Sequence, residues 1–387
     1  MEIEQKIDLL GEAAQYDVCR ACGTHSGRMR DDLGRWVYPA VRPDGTRVSL
    51  LKVLQTNVCE RDCAYCANRS QRDAPRTSFK PEELAATFDR MVRRGLCQGL
   101  FLSSGVSDNV ARASAQMLAT VELVRKRYAF RGYVHLKILP GADDATIEAS
   151  VRLADRVSVN LEAPNAERLF ALSRSKAFAT ELLASLRQAD RIRRKVGPAV
   201  SLTTQFVVGA AGETDREILA TATALYRDLG LARAYYSAFQ PVRDTPLEEL
   251  SPTPTWREQR LYQVDMLLRR YGYCFDELCF NAQGNLPREA DPKQVWAWRH
   301  PEFFPVEVNT ANREALLRVP GIGPITAQRI ISRRRVATLR DLRDLGMGAA
   351  SARRAAPYIL LDGRAPTRQL GLWEGVGEAV AALDAAS

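Results

Sequence analysis

Residues 49–66 read SLLKVLQTNVCERDCAYC. The first part, SLLKVLQT (49–56), is an apolar and β-branched run of strand length. The second part sets Cys59, Cys63 and Cys66 in a C-x3-C-x2-C spacing on the loop that follows. Thiolates three and four positions apart on a tight loop can converge on one metal centre, and soft sulfur donors select iron–sulfur clusters or zinc. A structural zinc closes its tetrahedron with a fourth ligand, so a triplet at a strand's C-terminal end points instead to a reactive centre with an open position. A zinc knuckle or a set of buried cysteines is the alternative reading of the same residues.

Downstream, strand-like runs recur at 99–104, 133–139, 156–162, 200–208 and 232–239. Helical periodicity fills 81–96, 108–127, 143–154, 177–195, 214–229 and 255–271. Strands alternating with amphipathic helices make a parallel α/β domain. Six such units without a seventh or eighth describe an open, partial (β/α)6 TIM-like barrel, whose active site belongs at the C-terminal ends of the strands. The expected order is an N-terminal extension with a C-x2-C pair (1–48), the barrel (49–280), a linker NAQGNLPREADPK (281–293), a small all-α domain (294–361) and a tail (362–387).

Composition narrows the class further. Of 387 residues, 46% are apolar and 26% charged, which excludes disordered, collagenous and coiled-coil proteins. No run of 18 apolar residues occurs, and the acidic start MEIEQKIDLLGEAAQ lacks a secretory pattern. A cytoplasmic protein with reduced cysteines is the expectation. Lys plus Arg number 55 against 46 Asp plus Glu, a net charge of +9. Residues 301–368 hold twelve Arg, no Lys and six acids, so +6 of that excess sits on the C-terminal module. Such a module is compatible with a polyanionic partner.

The cysteine triplet, with Tyr65 before its last member and a strand before its first, resembles the signature of the radical S-adenosylmethionine (SAM) superfamily. The resemblance implies a [4Fe–4S] cluster with three irons on Cys59, Cys63 and Cys66, SAM on the fourth, and a one-electron donor such as a flavodoxin or ferredoxin. It further implies cleavage of SAM to a 5′-deoxyadenosyl radical that abstracts a hydrogen atom, the protein supplying position and exclusion. Ser103, Ser104 and Gly105 stand where the superfamily has a Gly-rich turn for the SAM amino group, here without its Glu. Asn160 and Glu162, two apart at the end of the fourth strand, share one of its faces and suit ribose hydroxyls or the amino group. Gly209, Gly212 and Glu213 in VVGAAGETD resemble the segment that approaches adenine; a plain helix start is the alternative.

Other residues carry two readings each. His135 and Lys137 share a face of the third strand, toward substrate or in the core. Arg174 and Lys176 suit a carboxylate or phosphate, or are surface. Tyr235, Tyr236 and Gln240 close the sixth strand, at the substrate opening or in packing. Cys19 and Cys22, with Cys274 and Cys279, are either an auxiliary cluster or zinc site or inert thiols.

In the tail module, VEVNTANREALLRVPGIGPITAQRIISRRR (306–335) reads helix, turn, helix. Gly321 and Gly323 permit positive φ, and Pro324 suits a helix's first turn. Backbone N–H groups of Gly321, Ile322, Gly323, Ile325 and Thr326 can face an anion there. This resembles a helix-hairpin-helix, which binds the DNA backbone without reading bases. TLRDLRDLGMGAASARRAAPYI (338–359) looks like a second, degenerate hairpin with GMG as its turn. Arg329, Arg333, Arg334, Arg335, Arg353 and Arg354 would add salt-sensitive phosphate contacts. Residues 1–361 as a whole, including EAAQYDV and WAWRHPEFFPVEVNTA, resemble the DNA modification/repair radical SAM proteins. That likeness implies an enzyme that modifies or repairs a nucleic acid, DNA before RNA. The alternative is a radical SAM enzyme acting on a peptide or small metabolite, with the C-terminal domain contacting protein. A third reading is a non-enzymatic iron–sulfur DNA-binding protein.

Overall fold

The computed structural model describes residues 1–14, 36–41, 46–107, 109–197 and 200–366. Its chain divides into two compact units, Met1–Asp265 with Phe280–Arg288, and Met266–Cys279 with Glu289–Ser387. Cys19, Cys22 and most of the tail lie outside the described residues.

In the first unit, the six expected strands form. They are β2 (Arg47–Leu54), β3 (Gly99–Ser103), β4 (Tyr133–Lys137), β5 (Arg156–Ser158), β6 (Ser201–Val208) and β7 (Arg233–Ala238). They pair in chain order and all parallel, preceded by β1 (Val37–Val41), which runs antiparallel on the β2 edge. The result, among the described residues, is an open seven-stranded half-barrel. Strands β3 and β6 are covered on both faces and buried at every position, β3 through an apolar run and β6 with buried Ser201, Thr203, Thr204 and Gln205 among its apolar residues. The row Leu102, Leu136, Val157 and Leu202 is at most 1% exposed, and each such side chain contributes roughly 1.5–3 kcal/mol.

Between the strands lie α2 (Pro81–Arg93), α3 (Val110–Glu122), α4 (Asp144–Leu153), α5 (Ala166–Leu172), α6 (Ala184–Val196) and α7 (Asp215–Leu229), with α8 (Thr255–Met266) after β7. Local chemistry sets their ends. Asn109 and Asp143 cap α3 and α4 by accepting N–H bonds from Arg112 and Thr146. Thr214 and Glu217 form a capping box on α7, and Gly230 ends it at φ 52°.

Four differences from the sequence reading follow from packing. The described residues before 48 belong to the barrel unit: α1 (Ile3–Ala13) sets Gly11 against the Trp36 ring, and Asp8 accepts the Trp36 indole N–H at 2.9 Å. Strand β5 stops at Ser158 instead of 162, the chain turning at Glu162 with φ 64°. Phe280–Arg288 is no free linker, since Asp215 accepts the Leu286 N–H and Arg216 lies over the Phe280 ring. Met266–Cys279 groups with the C-terminal unit, where Tyr273 packs edge-on to Trp296 and Glu277 pairs with Arg318.

The second unit contains α9 (Pro292–Arg299), β8 (Val306–Glu307), α10 (Arg313–Arg318), α11 (Pro324–Arg333), α12 (Ala349–Ala355) and β9 (Ile359–Leu360), which pairs parallel with β8. Its core joins Val308, Leu316, Val319, Ile322, Ile330 and Leu345. The expected second hairpin has a 3-10 turn, Leu342–Leu345, in place of its first helix. No helix among the described residues is long and apolar enough to cross a membrane.

Candidate functional site

A cavity of about 680 Å³ opens at the C-terminal ends of the parallel strands. The ends of β2, β3, β4, β6 and β7 deliver Leu54, Ser103, Lys137, Val207 and Ser237 to it, Leu54 in register with Ser103 and Val207 with Ser237, and the segment after β5 adds Asn160 and Glu162. Cys59, Cys63, Tyr65 and Cys66 line the same cavity. Cys63 is buried and the other two thiols are half-buried. Among the described residues no three His, Cys, Asp or Glu side chains close on a single ion position. The thiols line a wall.

Neighbouring chain anchors the cysteine loop. The Glu60 N–H donates to Val106 O at 2.8 Å and the Ala64 N–H to Leu172 O at 2.7 Å. The Asp62 carboxylate accepts from both the Ser173 and Ser175 hydroxyls at 2.6 Å, and from the N–H of Arg174. Burial works against ionising Asp62, but those hydroxyls and amides outweigh it and bring the carboxyl down to about 2. Arg61 bonds Ser175 O and pairs with Glu181 at 2.6 Å. Arg61 and Asp62 are functional-loop residues that the spacing of cysteines does not reveal; their acid and base character between the ligand positions is the only sequence signal.

Near the thiols, Lys176 Nζ lies 3.3 Å from Glu162 Oε1 with both side chains under a tenth exposed. Burial disfavours the ammonium, but Cys63, Glu162 and Cys66 hold its pKa above the ordinary lysine value. Burial, then Glu162 and the two thiols, push the Tyr65 hydroxyl well up. Burial, then Cys63 and Cys59, push the Cys66 thiol up to about 12. Glu162 holds a left-handed backbone that a non-glycine residue adopts only at some cost. Asn160 and Glu162 thus reach the cavity from beyond the regular part of β5, where Glu162 bridges in parallel to Phe206 of β6.

The remaining candidates separate. Ser103, Ser104 and Gly105 line the wall, with the Ser104 Oγ buried and unpartnered among the described residues. A Cβ on Gly105 would stand 2.3 Å from Val58 O and 3.2 Å from the Cys59 Cβ, so only glycine lets this turn lie against the cysteine loop. Lys137 and Gln240 line the cavity. His135 does not; it sits lower on β4, bonded to Ser158 Oγ at 2.9 Å, and burial with nearby Arg156, Lys52 and Lys137 holds it neutral. Tyr236 points to the opposite face, stacked on Phe206, because alternation sends Tyr235 inward to the Arg156 guanidinium. Gly209 and Glu213 are not among the lining residues: the Glu213 carboxylate folds back on the N–H groups of Gly209 and Ala211 and shapes the turn. Gly212, in the same turn, is likewise absent from the lining. Arg174 is exposed over Phe170. Cys274 is exposed and Cys279 half-buried beside Arg299.

In the second unit the GIG turn precedes α11 as expected, with corrections. Gly321 has φ 85°, whereas Gly323 is extended at φ −102° as the N-cap. The Ile322 N–H is taken by Val319 O and its side chain is core. The amides of Gly323, Ile325 and Thr326 stand at a helix start that no side chain caps. Arg329 bonds Gly346 O, Arg333 bonds Asp344 O and Arg334 bonds Val308 O and Ala311 O, so these three brace the module itself. Arg335, Arg353 and Arg354 are exposed.

Comparison with known proteins places a domain of the Radical SAM superfamily at residues 53–225 and a helix-hairpin-helix motif at 303–360. Curated relatives include the tRNA-2-methylthio-N(6)-dimethylallyladenosine synthase of Lachnoclostridium phytofermentans, 27% identical over 49% of this chain and 41% of that protein. Another is the threonylcarbamoyladenosine tRNA methylthiotransferase MtaB of Thermotoga maritima, 26% identical over 56% of this chain and 50% of that protein. The chain spans half or less of the length of these relatives. Among solved structures, methylornithine synthase (PylB) superposes with a TM-score of 0.45 at 14% identity, over 69% of this chain and 77% of that one. The superfamily uses a [4Fe–4S] cluster and SAM. The donor set fits such a group: three thiols on one cavity wall, an unpartnered serine hydroxyl beside them, and a glycine turn that leaves backbone exposed against the loop.

Proposed function

We propose that this chain, a radical SAM domain followed by a helix-hairpin-helix, cleaves SAM reductively and uses the product to modify or repair a nucleic acid. The observation that carries the reading is the shared cavity of Cys59, Cys63 and Cys66 with Ser104, Asn160 and Glu162 at the strand ends. Cys59, Cys63 and Cys66 would hold the cluster, with a flavodoxin- or ferredoxin-type protein as electron donor. Ser103, Ser104 and Gly105 receive the SAM amino group, Asn160 its ribose, and Lys176 with Glu162 its charged end. When bound, cluster and SAM together supply a carbon radical that takes a hydrogen atom from substrate. The barrel wall keeps water from that step, while Lys137 and Gln240 line the side left for substrate.

Size constrains the substrate. A cavity of about 680 Å³ that must also hold the cluster and SAM leaves substrate only the room of a small-molecule site, which does not admit a duplex. A base would have to leave its stack to reach it. The amides of Gly323, Ile325 and Thr326, with Arg335, Arg353 and Arg354, would hold the phosphate backbone. The DNA modification/repair likeness favours DNA, and the names of the tRNA-modifying relatives favour RNA, so both polymers are arms of one test.

A second reading has its own support. Arg329, Arg333 and Arg334 are bound to carbonyls, and Ile325 is 77% exposed at the turn. A module that contacts protein would present such a surface, with a peptide or small metabolite as substrate. The anaerobically reconstituted protein, given SAM and dithionite, should form 5′-deoxyadenosine. Stimulation by duplex DNA or tRNA, with deuterium passing from labelled polymer into 5′-deoxyadenosine, supports the nucleic-acid reading. Turnover indifferent to both polymers would transfer support to the second, and no 5′-deoxyadenosine at all would remove enzymatic function.

A further inference from the structure

Arg76 lies ten residues beyond the last cysteine of the loop, yet its guanidinium is bound on both sides of it. One terminal nitrogen donates to Asn57 O at 2.6 Å and Asn68 O at 3.0 Å. The other donates to Arg69 O at 2.7 Å and Arg72 O at 3.0 Å. Asn57 precedes Cys59 and Asn68 follows Cys66, so a single planar group joins the two ends of the segment that carries all three thiols. The chain delivers Arg76 there by doubling back. Phe79 N–H donates to Gln55 O at 2.9 Å, Thr77 N–H to Asn57 Oδ1 at 2.8 Å, and Asn57 Nδ2 to Pro75 O at 2.9 Å.

From this geometry we propose that Arg76 is a positioning residue for the iron–sulfur cluster: by closing the loop mouth from Asn57 to Asn68 it presets the three thiols before the cluster arrives. The proposal rests on the cofactor reading above. A loop closed in advance has already met the entropic cost of bringing its ends together, which the cluster would otherwise have to offset. Only a guanidinium can do this, because its rigid fork directs donors to carbonyls on two sides. A lysine ammonium is a point charge with three donors and cannot span four carbonyls so placed. The clamp also takes up four carbonyl oxygens next to the cluster loop that would otherwise bind water.

The experiment uses the full chain reconstituted anaerobically, comparing wild type with R76K. Iron transfer to a chelator should be about tenfold faster or more in R76K, the range found when residues supporting metal ligands are altered. In the apo-protein, amide exchange at Ala64 and Cys66 should rise while the melting temperature stays near wild type. Methylguanidinium added to R76G should restore iron retention. N57A, which keeps Arg76 but removes two of the bonds that bring it to the loop, should shift iron retention in the same direction by less, and serves if R76K does not fold. Wild-type iron retention in R76K, with or without a lowered melting temperature, would make Arg76 a plain staple and overturn the proposal. A wild-type protein that takes up no iron would instead overturn the cofactor reading beneath it.

Discussion

Lys176 Nζ stands 3.3 Å from Oε1 of Glu162, the two charges meeting beside the cysteine loop with less than a tenth of either side chain exposed. A buried pair is costly to break singly, because the survivor is an uncompensated charge. Lys176→Met should therefore destabilise the barrel unit by about 3–5 kcal/mol. The double variant Lys176→Met/Glu162→Gln should recover much of that loss in urea melts of the apo-protein. A double variant as unstable as the sum of its singles would show that the two side chains do not depend on each other.

Iron should follow three cysteines and not the others. Replacing Cys59, Cys63 and Cys66 by Ala together should abolish iron and sulfide uptake. Cys97→Ala should retain both, because Cys97 is 2% exposed in the core and absent from the cavity wall. Retention of about four irons by the triple variant, one further [4Fe–4S] cluster, would instead reveal a second cluster on the remaining cysteines.

The C-terminal unit should become more stable as pH rises above neutrality. Lys293 is 7% exposed, donates to Ile322 O at 2.5 Å and lies over the Tyr271 ring. Burial lowers its pKa to about 7; Arg318 adds to the effect and Asp291 opposes it. Tyr271, whose own pKa burial and Asp291 raise, stays neutral in this range. Between about 7 and the ordinary lysine value of 10.5, the unfolded chain holds one proton more than the folded one, so unfolding becomes harder with each step up in pH. Below 7 both states are protonated and this contribution is flat. The whole effect is a few kcal/mol at ~1.4 kcal/mol per pKa unit. Chemical denaturation from pH 6.5 to 9.5 should show the rise, and Lys293→Met should remove it.

The hairpin turn separates folding from binding. Gly321 is at φ 85°, and a Cβ there would lie 2.4 Å from Ser351 O. Gly321→Ala should thus unfold the hairpin, costing about 1–3 kcal/mol through strain alone. Gly323 is extended, and a Cβ there would lie 3.1 Å from the Tyr271 hydroxyl, which has to give by a few tenths of an ångström. Gly323→Glu should leave the melting temperature nearly unchanged and abolish binding of duplex DNA or tRNA. Removing Arg335 or Arg353 should lower the slope of log affinity against log salt by about one each. Arg334→Ala should act on stability instead, since it bonds Val308 O and Ala311 O; a change in salt slope without a change in melting would refute that assignment.

The sequence by itself determined the parallel barrel strands, the cysteine loop at the end of the first, and the Gly-Ile-Gly turn before a helix. Each is written in a short window, as apolar runs covered on both faces, as ligand spacing, or as residues chosen for their backbone. Short or irregular pieces left no such signal. Strand β1 is five residues with a proline, helix α5 only seven, and β5 stops early at Ser158. What only the tertiary structure decided is which polar groups meet. It pairs Glu162 with Lys176, turns Glu213 onto its own loop, spends Arg329, Arg333 and Arg334 on carbonyls, and brings Arg76 back across the cysteine loop. A charged side chain is compatible with solvent, an ion pair or a carbonyl, and its surroundings choose among them. Those surroundings are assembled from residues distant in the chain, so composition and spacing do not contain the answer.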